Sequence, residues 1–174
     1  MKQQRAYKYR VYPTEEQKQI LARTFGCCRY VYNWALRERT DAYYKHGQRL
    51  GYHEISAALP TLKQQPETSW LGEVASVPLQ QSLRHLDRAF RNFFEGRAKY
   101  PTFKKKHGEQ SATYVGTAFK WDGTSLTLAK MDDPLPLVWS RPLPKGCKPT
   151  TVTVTKDTAE RYFVSILIEE EIKH

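Results

Sequence analysis

Residues 5–12 alternate through Ala6, Tyr7, Lys8, Tyr9, Arg10, Val11 and Tyr12 with the period of two that marks a strand, yet the next strand-like run begins only near residue 112. A strand cannot satisfy its backbone hydrogen bonds alone, so the partners of this one must come from the far end of the chain. Whatever lies between is then an insertion. Pro13 stops the run. Thr14, followed three residues later by Gln17, is a capping-box arrangement that starts a helix, with Glu15 and Glu16 near the positive end of its dipole.

The intervening stretch carries helical periodicity. Ile20, Leu21 and Phe25 mark one face, and Tyr30, Val31, Trp34 and Ala35 mark another, which predicts two helices breaking near Gly26, the second ending at His46-Gly47. Residues 52–64 predict a shorter helix interrupted at Pro60. A longer helix follows, in which Leu79, Leu83, Leu86, Phe90 and Phe93 recur every three or four positions as a core face, with Ser76 as N-cap and Pro78 in the first turn. After Gly108 come short β-like runs at 112–120, 125–129, 135–140, 150–156 and 161–168, separated by Asp122-Gly123, Asp132-Asp133-Pro134 and Pro144-Lys145-Gly146. The expected fold class is α+β: a small β-barrel or strongly curved sheet with an inserted α-helical domain. The boundaries are 1–13 plus 108–174 for the discontinuous β-domain and 14–107 for the insertion.

A formal charge of +10 on 174 residues favours polyanions as partners, nucleic acid above all. Between residues 97 and 107 the chain carries Arg97, Lys99, Lys104, Lys105 and Lys106 with no acid, a strap able to neutralise several phosphates; its Tyr100 and Phe103 either stack on bases or dock the strap on the core. The outer face of the long helix carries Gln80, Gln81, Arg84, Arg88 and Arg91. The two glutamines are expected in its first turn, where backbone N–H groups favour phosphate, and a glutamine amide can both donate to and accept from an adenine edge.

Catalysis finds little support. Asp87 with His85 is a helix-surface pair without a nucleophile, Asp132-Asp133 lies in a turn signal, and Glu169, Glu170 and Glu171 alternate faces on a strand. Cys27, Cys28 and Cys147 lack zinc-ligand spacing, so no metal is expected. The absence of a membrane-length apolar run and of a signal-peptide pattern makes a cytoplasmic protein with reduced thiols and no membrane partner the expectation.

Four ordered segments carry a family resemblance: Arg10-Val11-Tyr12-Pro13-Thr14-Glu15-Glu16-Gln17, Gly26-Cys27-Cys28-Arg29-Tyr30-Val31-Tyr32-Asn33-Trp34, Leu79-Gln80-Gln81-Ser82-Leu83 and Tyr100-Pro101-Thr102-Phe103-Lys104. Together with Phe119-Lys120-Trp121-Asp122-Gly123 they resemble the N-terminal part of TnpB (OrfB), the helix-turn-helix transposase family of insertion sequences, whose members are similar to type V CRISPR nucleases and act as RNA-guided DNA endonucleases. The resemblance implies a β-barrel wedge domain split by a helical recognition domain. It further implies that a RuvC-like nuclease domain and a zinc ribbon follow, with Glu169-Glu170-Glu171-Ile172-Lys173-His174 falling where the first catalytic strand begins. The expectation is therefore a nucleic-acid-binding part without a catalytic residue, with magnesium and zinc belonging only to the missing domains. An alternative is one piece of a split nuclease whose catalytic fragment is encoded downstream.

By the same resemblance Tyr52, Ser56, Ser76, Val77, Gln80 and Gln81, with Thr117 beside Gly116, bind the transposon-adjacent DNA motif. Arg84, Arg88, Arg91, Arg97, Lys99, Lys104, Lys105 and Lys106 contact the backbone of guide RNA or of the heteroduplex, which is recognised by shape and charge. A blander reading gives the long helix a role in self-association only.

Overall fold

The computed structural model describes residues Lys2–Glu171, with Glu171 described by its backbone alone; Ile172, Lys173 and His174 of the closing run lie outside the described residues. The chain divides into two compact units, one built from residues up to Arg23 and from His107 onward, the other from Thr24–Lys106.

In the β unit, β1 (Lys2–Val11), β2 (Gln110–Val115), β5 (Lys148–Lys156) and β6 (Tyr162–Glu171) form an antiparallel sheet in the order β1-β6-β5-β2. The lone N-terminal strand thus finds its partner at the other end of the sequence, with Tyr7 opposite Ile166 and Tyr9 opposite Val164. Alternation sends Tyr7, Tyr9 and Val11 of β1, Ala112 and Tyr114 of β2, Val152 and Val154 of β5 and Val164, Ile166 and Ile168 of β6 into one core. A hairpin of β3 (Phe119–Trp121) and β4 (Leu126–Leu128) forms a second, two-stranded sheet.

Two strand expectations change. The run at 112–120 is cut into β2 and β3 by a 3-10 turn at Gly116–Ala118, because Gly116 takes φ +58°, which ends the ladder. The run at 135–140 forms no strand: Pro134 and Pro136 have no N–H to give, so only an isolated bridge, Val11 with Leu137, remains. Backbone bonds still tie this segment to both sheets, from Val138 N–H to the Arg10 carbonyl (2.8 Å), from Tyr12 N–H to the Pro136 carbonyl (3.0 Å) and from Leu135 N–H to the Leu126 carbonyl (2.8 Å). What the described residues form is thus a mixed fold of helices and two antiparallel sheets.

The capping box forms as read. Thr14 N–H donates to Gln17 Oε1 at 3.0 Å, and Gln17 N–H to Thr14 Oγ1 at 3.2 Å. From there α1 (Glu15–His46) runs unbroken through Gly26, which corrects the two-helix expectation. Leu21, Thr24, Phe25, Cys28, Val31, Tyr32, Ala35 and Leu36 continue one buried stripe across the glycine. Their burial outweighs the roughly 1 kcal/mol that a glycine costs inside a helix. The helix stops where expected, with Gly47 at φ +61° and its N–H donating to the Tyr43 carbonyl at 2.9 Å.

In the helical unit α2 (Tyr52–Gln64) passes through Pro60, a second correction. The proline forfeits one intrahelical bond, and buried Leu59 and Leu62 on either side anchor the helix as it continues past it. A 3-10 helix (Pro66–Glu73) leads to α3 (Ser76–Phe94), where Leu79, Leu83, Leu86 and Phe90 are buried as expected. Ala75, with extended backbone, is the N-cap of α3 in place of Ser76, and Phe93 is only half-buried.

Candidate nucleic-acid interface

Tyr52 and Ser56 stand one turn apart on α2 and turn their hydroxyls to the same acceptor on α3. The Ser56 hydroxyl donates to Gln80 Oε1 at 3.0 Å and the Tyr52 hydroxyl to the same oxygen at 3.3 Å. A carbonyl oxygen has two lone pairs, and here both are taken. The amide is locked with Nε2 as its remaining polar group, a donor. The Arg84 guanidinium, one turn further along α3, lies 4.5 Å from the centre of the Tyr52 ring. The start of α2 is itself held, since Gly51 N–H donates to a Glu54 carboxylate oxygen at 2.9 Å; the backbone N–H groups of Glu54 and Gly51 hold that carboxyl below its usual range.

Because α3 starts at Ser76, Gln80 and Gln81 lie in its second turn. Their own N–H groups therefore serve the helix ladder, and the anion-attracting end is at Ser76 and Val77 instead. Ser76 is exposed; Val77 and Gln81 are half-buried, and among the described residues no hydrogen bond ties these three to the Tyr52–Ser56–Gln80 trio. Thr117 belongs to the β unit, exposed in the turn after Gly116.

The cationic residues differ in their freedom. Arg88 is exposed on α3, whereas Arg91 meets Asp87 at 3.4 Å and Arg97 meets Glu95 at 3.2 Å. Such exposed pairs are worth at most about 1 kcal/mol, so a phosphate can replace the carboxylate. The other oxygen of Asp87 takes Arg39 at 3.2 Å, which gives that acid a structural role. Burial, then the nearby Lys104 and Arg88, push the His85 pKa down.

Across the strap, Tyr100 docks: its hydroxyl lies 2.7 Å from that of Thr40, and its ring packs edge-on against Phe90 and Phe93. Phe103 stays half-exposed at 52%, with Arg37 5.9 Å from its ring centre. Asn33 of α1, which composition and periodicity did not single out, clamps the backbone of Lys104. Lys104 N–H donates to Asn33 Oδ1 at 2.8 Å, and Asn33 Nδ2 donates to the Lys104 carbonyl at 3.0 Å. The available signal was an amide between the buried stripe positions Tyr32 and Ala35. Lys99, Lys104, Lys105 and Lys106 are exposed, and Lys104 Nζ sits 4.6 Å over the Tyr32 ring.

Among the described residues no three His, Cys, Asp or Glu side chains lie close enough to hold a metal ion. Burial pushes the Cys27 and Cys28 thiols up to about 11 and about 12, leaving both protonated at neutral pH. No helix of the described residues is long and apolar enough to cross a membrane.

Residues 1–48 match the helix-turn-helix domain of the OrfB_IS605 family. In the structure that segment comprises β1 and the uninterrupted α1. Over 169 residues the chain is 55% identical to a "putative RNA-guided DNA endonuclease" of Streptomyces pristinaespiralis, covering 97% of this chain and 42% of that protein. It is 30% identical over 178 residues to the "putative RNA-guided DNA endonuclease InsQ" of Escherichia coli K12, covering 99% of this chain and again 42% of the relative. A third relative, virulence protein VsdF of Salmonella dublin, is 38% identical over 114 residues, which are 60% of this chain and 96% of that protein. The chain thus spans about two fifths of the length of the two endonuclease relatives.

Proposed function

This chain belongs to the TnpB (OrfB) family of insertion-sequence transposases, and we propose that it binds DNA and guide RNA, reading a short transposon-adjacent DNA motif with its helical unit. In this reading the helical unit is the recognition domain and the β unit the wedge domain. The backbone bonds from residues 135–138 to β1 and β4 support a barrel-like closure of the β unit. The observation that carries the reading is the Tyr52–Ser56–Gln80 trio: a polar side chain of fixed orientation, flanked by Arg84, on a strongly cationic chain.

With its carbonyl occupied, Gln80 offers a donor alone, so the preferred partner is a major-groove acceptor: guanine O6 or N7, adenine N7 or thymine O4. Arg84, Arg88, Arg91 and the strap lysines then hold phosphates. Ser76, Val77 and Gln81 complete the helical unit's motif-reading set by family resemblance, and the same resemblance assigns Thr117 of the β unit to motif reading. Four of the described acids do other work: Asp87, Glu95 and Asp157 pair with arginines, and Asp122 caps a turn. Cleavage is accordingly proposed to lie outside this chain's own residues.

Selection from a randomised duplex library over a salt series tests the reading. An enriched motif whose preference at one base pair relaxes in Gln80→Ala supports it; salt-insensitive binding, or no enrichment with the same affinity for every sequence, counts against it. A second reading has catalysis supplied by a separate downstream polypeptide. Its check is magnesium-dependent cutting when that polypeptide is added in trans.

A further inference from the structure

Within the helical unit, the end of α1, the loop at residues 49–51, the end of α3 and Tyr100 enclose a cavity of about 560 Å³, inside the range of small-ligand sites. Its rim is aromatic and exposed: Tyr43 at 50%, Tyr44 at 73% and Phe94 at 67%. Two guanidiniums frame it. Arg39 is fixed on the floor, 4.2 Å over the Phe90 ring and 3.2 Å from Asp87, with its side chain only 13% exposed. Arg49 is exposed, 5.9 Å from the Phe94 ring centre, and no carboxylate among the described residues pairs with it.

Rings left open to water beside an unpaired guanidinium suit one occupant better than others. An aliphatic ligand would leave Arg49 without a use, and a base-paired duplex keeps its base faces stacked on one another. An unpaired nucleotide offers both a flat π-face for the rings and a phosphate for the guanidinium. We propose that the cavity bounded by Tyr43, Tyr44, Phe94 and Arg49 takes an unstacked base from a single strand, at a site separate from the trio on α2 and α3. The inference rests on the nucleic-acid reading above and gives it a defined site for one unpaired base.

The test uses the full chain with ten-nucleotide single strands, DNA and RNA in separate arms, each carrying a central 2-aminopurine, and the corresponding DNA duplex as control. Wild type is expected to bind the single strands with quenching of the 2-aminopurine. Tyr44→Ala with Phe94→Ala should weaken single-strand binding about tenfold and abolish the quench, leaving duplex affinity within about twofold. Arg49→Glu, which removes no ring, should weaken single-strand binding by a comparable factor and guards against misfolding of the double variant.

An equal loss for duplex and single strand, or a quench that survives both variants, overturns the cavity site while duplex recognition stands. Unchanged single-strand affinity with a mass that rises with concentration only when the rings are present would assign the patch to a second copy of the chain, and also overturns it. A wild type that binds no nucleic acid at all removes this inference and the motif-reading function together.

Discussion

The trio on α2 and α3 and the basic strap are built on opposite principles. At the trio the backbone is spent on helix ladders, and the side chains hold one another: two hydroxyls on one amide oxygen, one guanidinium on one ring. Along the strap the backbone is what is held, by Asn33 at Lys104 and by Tyr100 against Thr40, while the lysine side chains are exposed. An immobilised donor discriminates between base edges because it cannot turn to suit the wrong one. An ammonium on a flexible stem follows phosphates wherever the sequence puts them. On the proposed function, specificity and charge fall to different parts of one small unit.

The change expected to abolish this contrast altogether is Phe90→Ala. Phe90 is 4% exposed and lies under both Arg39 and Tyr100, so it supports α3 and the strap together. Urea unfolding should show a loss of about 3–5 kcal/mol, and a cost below about 1 kcal/mol would mean that the two regions do not share this support. Next in size, replacing Lys104, Lys105 and Lys106 with Ala should weaken binding to every duplex alike and lower the salt slope by about 2 to 3. Gln80→Ala should leave that slope in place and change preference at one base pair by about 1–3 kcal/mol. Swapped results, with sequence preference lost from the lysine variant and the slope from the glutamine variant, would reverse the assignment.

Smaller again is Asn33→Ala, which removes two exposed hydrogen bonds worth about 0.5–1.5 kcal/mol each. It should loosen the strap and reduce affinity for all sequences, with the trio's preference intact. Loss of preference from this change would show that the strap's path positions α3.

Local chemistry was the readable part of the sequence. The Thr14–Gln17 box, the Gly47 stop and the buried face of α3 depend on residues within a turn or two of each other. Three punctuation residues misled, two in one direction and the third in the other. Gly26 and Pro60 look like breaks, yet continuous buried stripes carry the helices through them. Gly116 does break its strand, because there the backbone turns left-handed. The family resemblance pointed to Tyr52, Ser56 and Gln80 together, but not to one oxygen accepting from both hydroxyls. That depends on how two helices separated by a 3-10 turn come to face each other. The clamp of Asn33 on a residue of the distant strap is illegible for the same reason.

The smallest expected effect separates the two regions by pH. Glu54 has its carboxyl pKa lowered by its own N–H and that of Gly51, and the bond to Gly51 secures the first turn of α2, where Tyr52 sits. A group whose folded pKa lies below its unfolded value contributes stability above the unfolded value, about 4.3 for a glutamate, and loses it as pH falls through the folded one. Lowering the pH below about 4.3 should therefore progressively fray α2 and erode sequence preference. Charge-driven affinity along the strap does not depend on that carboxyl, so it should survive the change. Glu54→Gln should show the weakened preference already at neutral pH and little further change on acidification. Affinity for random duplex falling in step with preference as the pH drops would mean that trio and strap loosen as one structure.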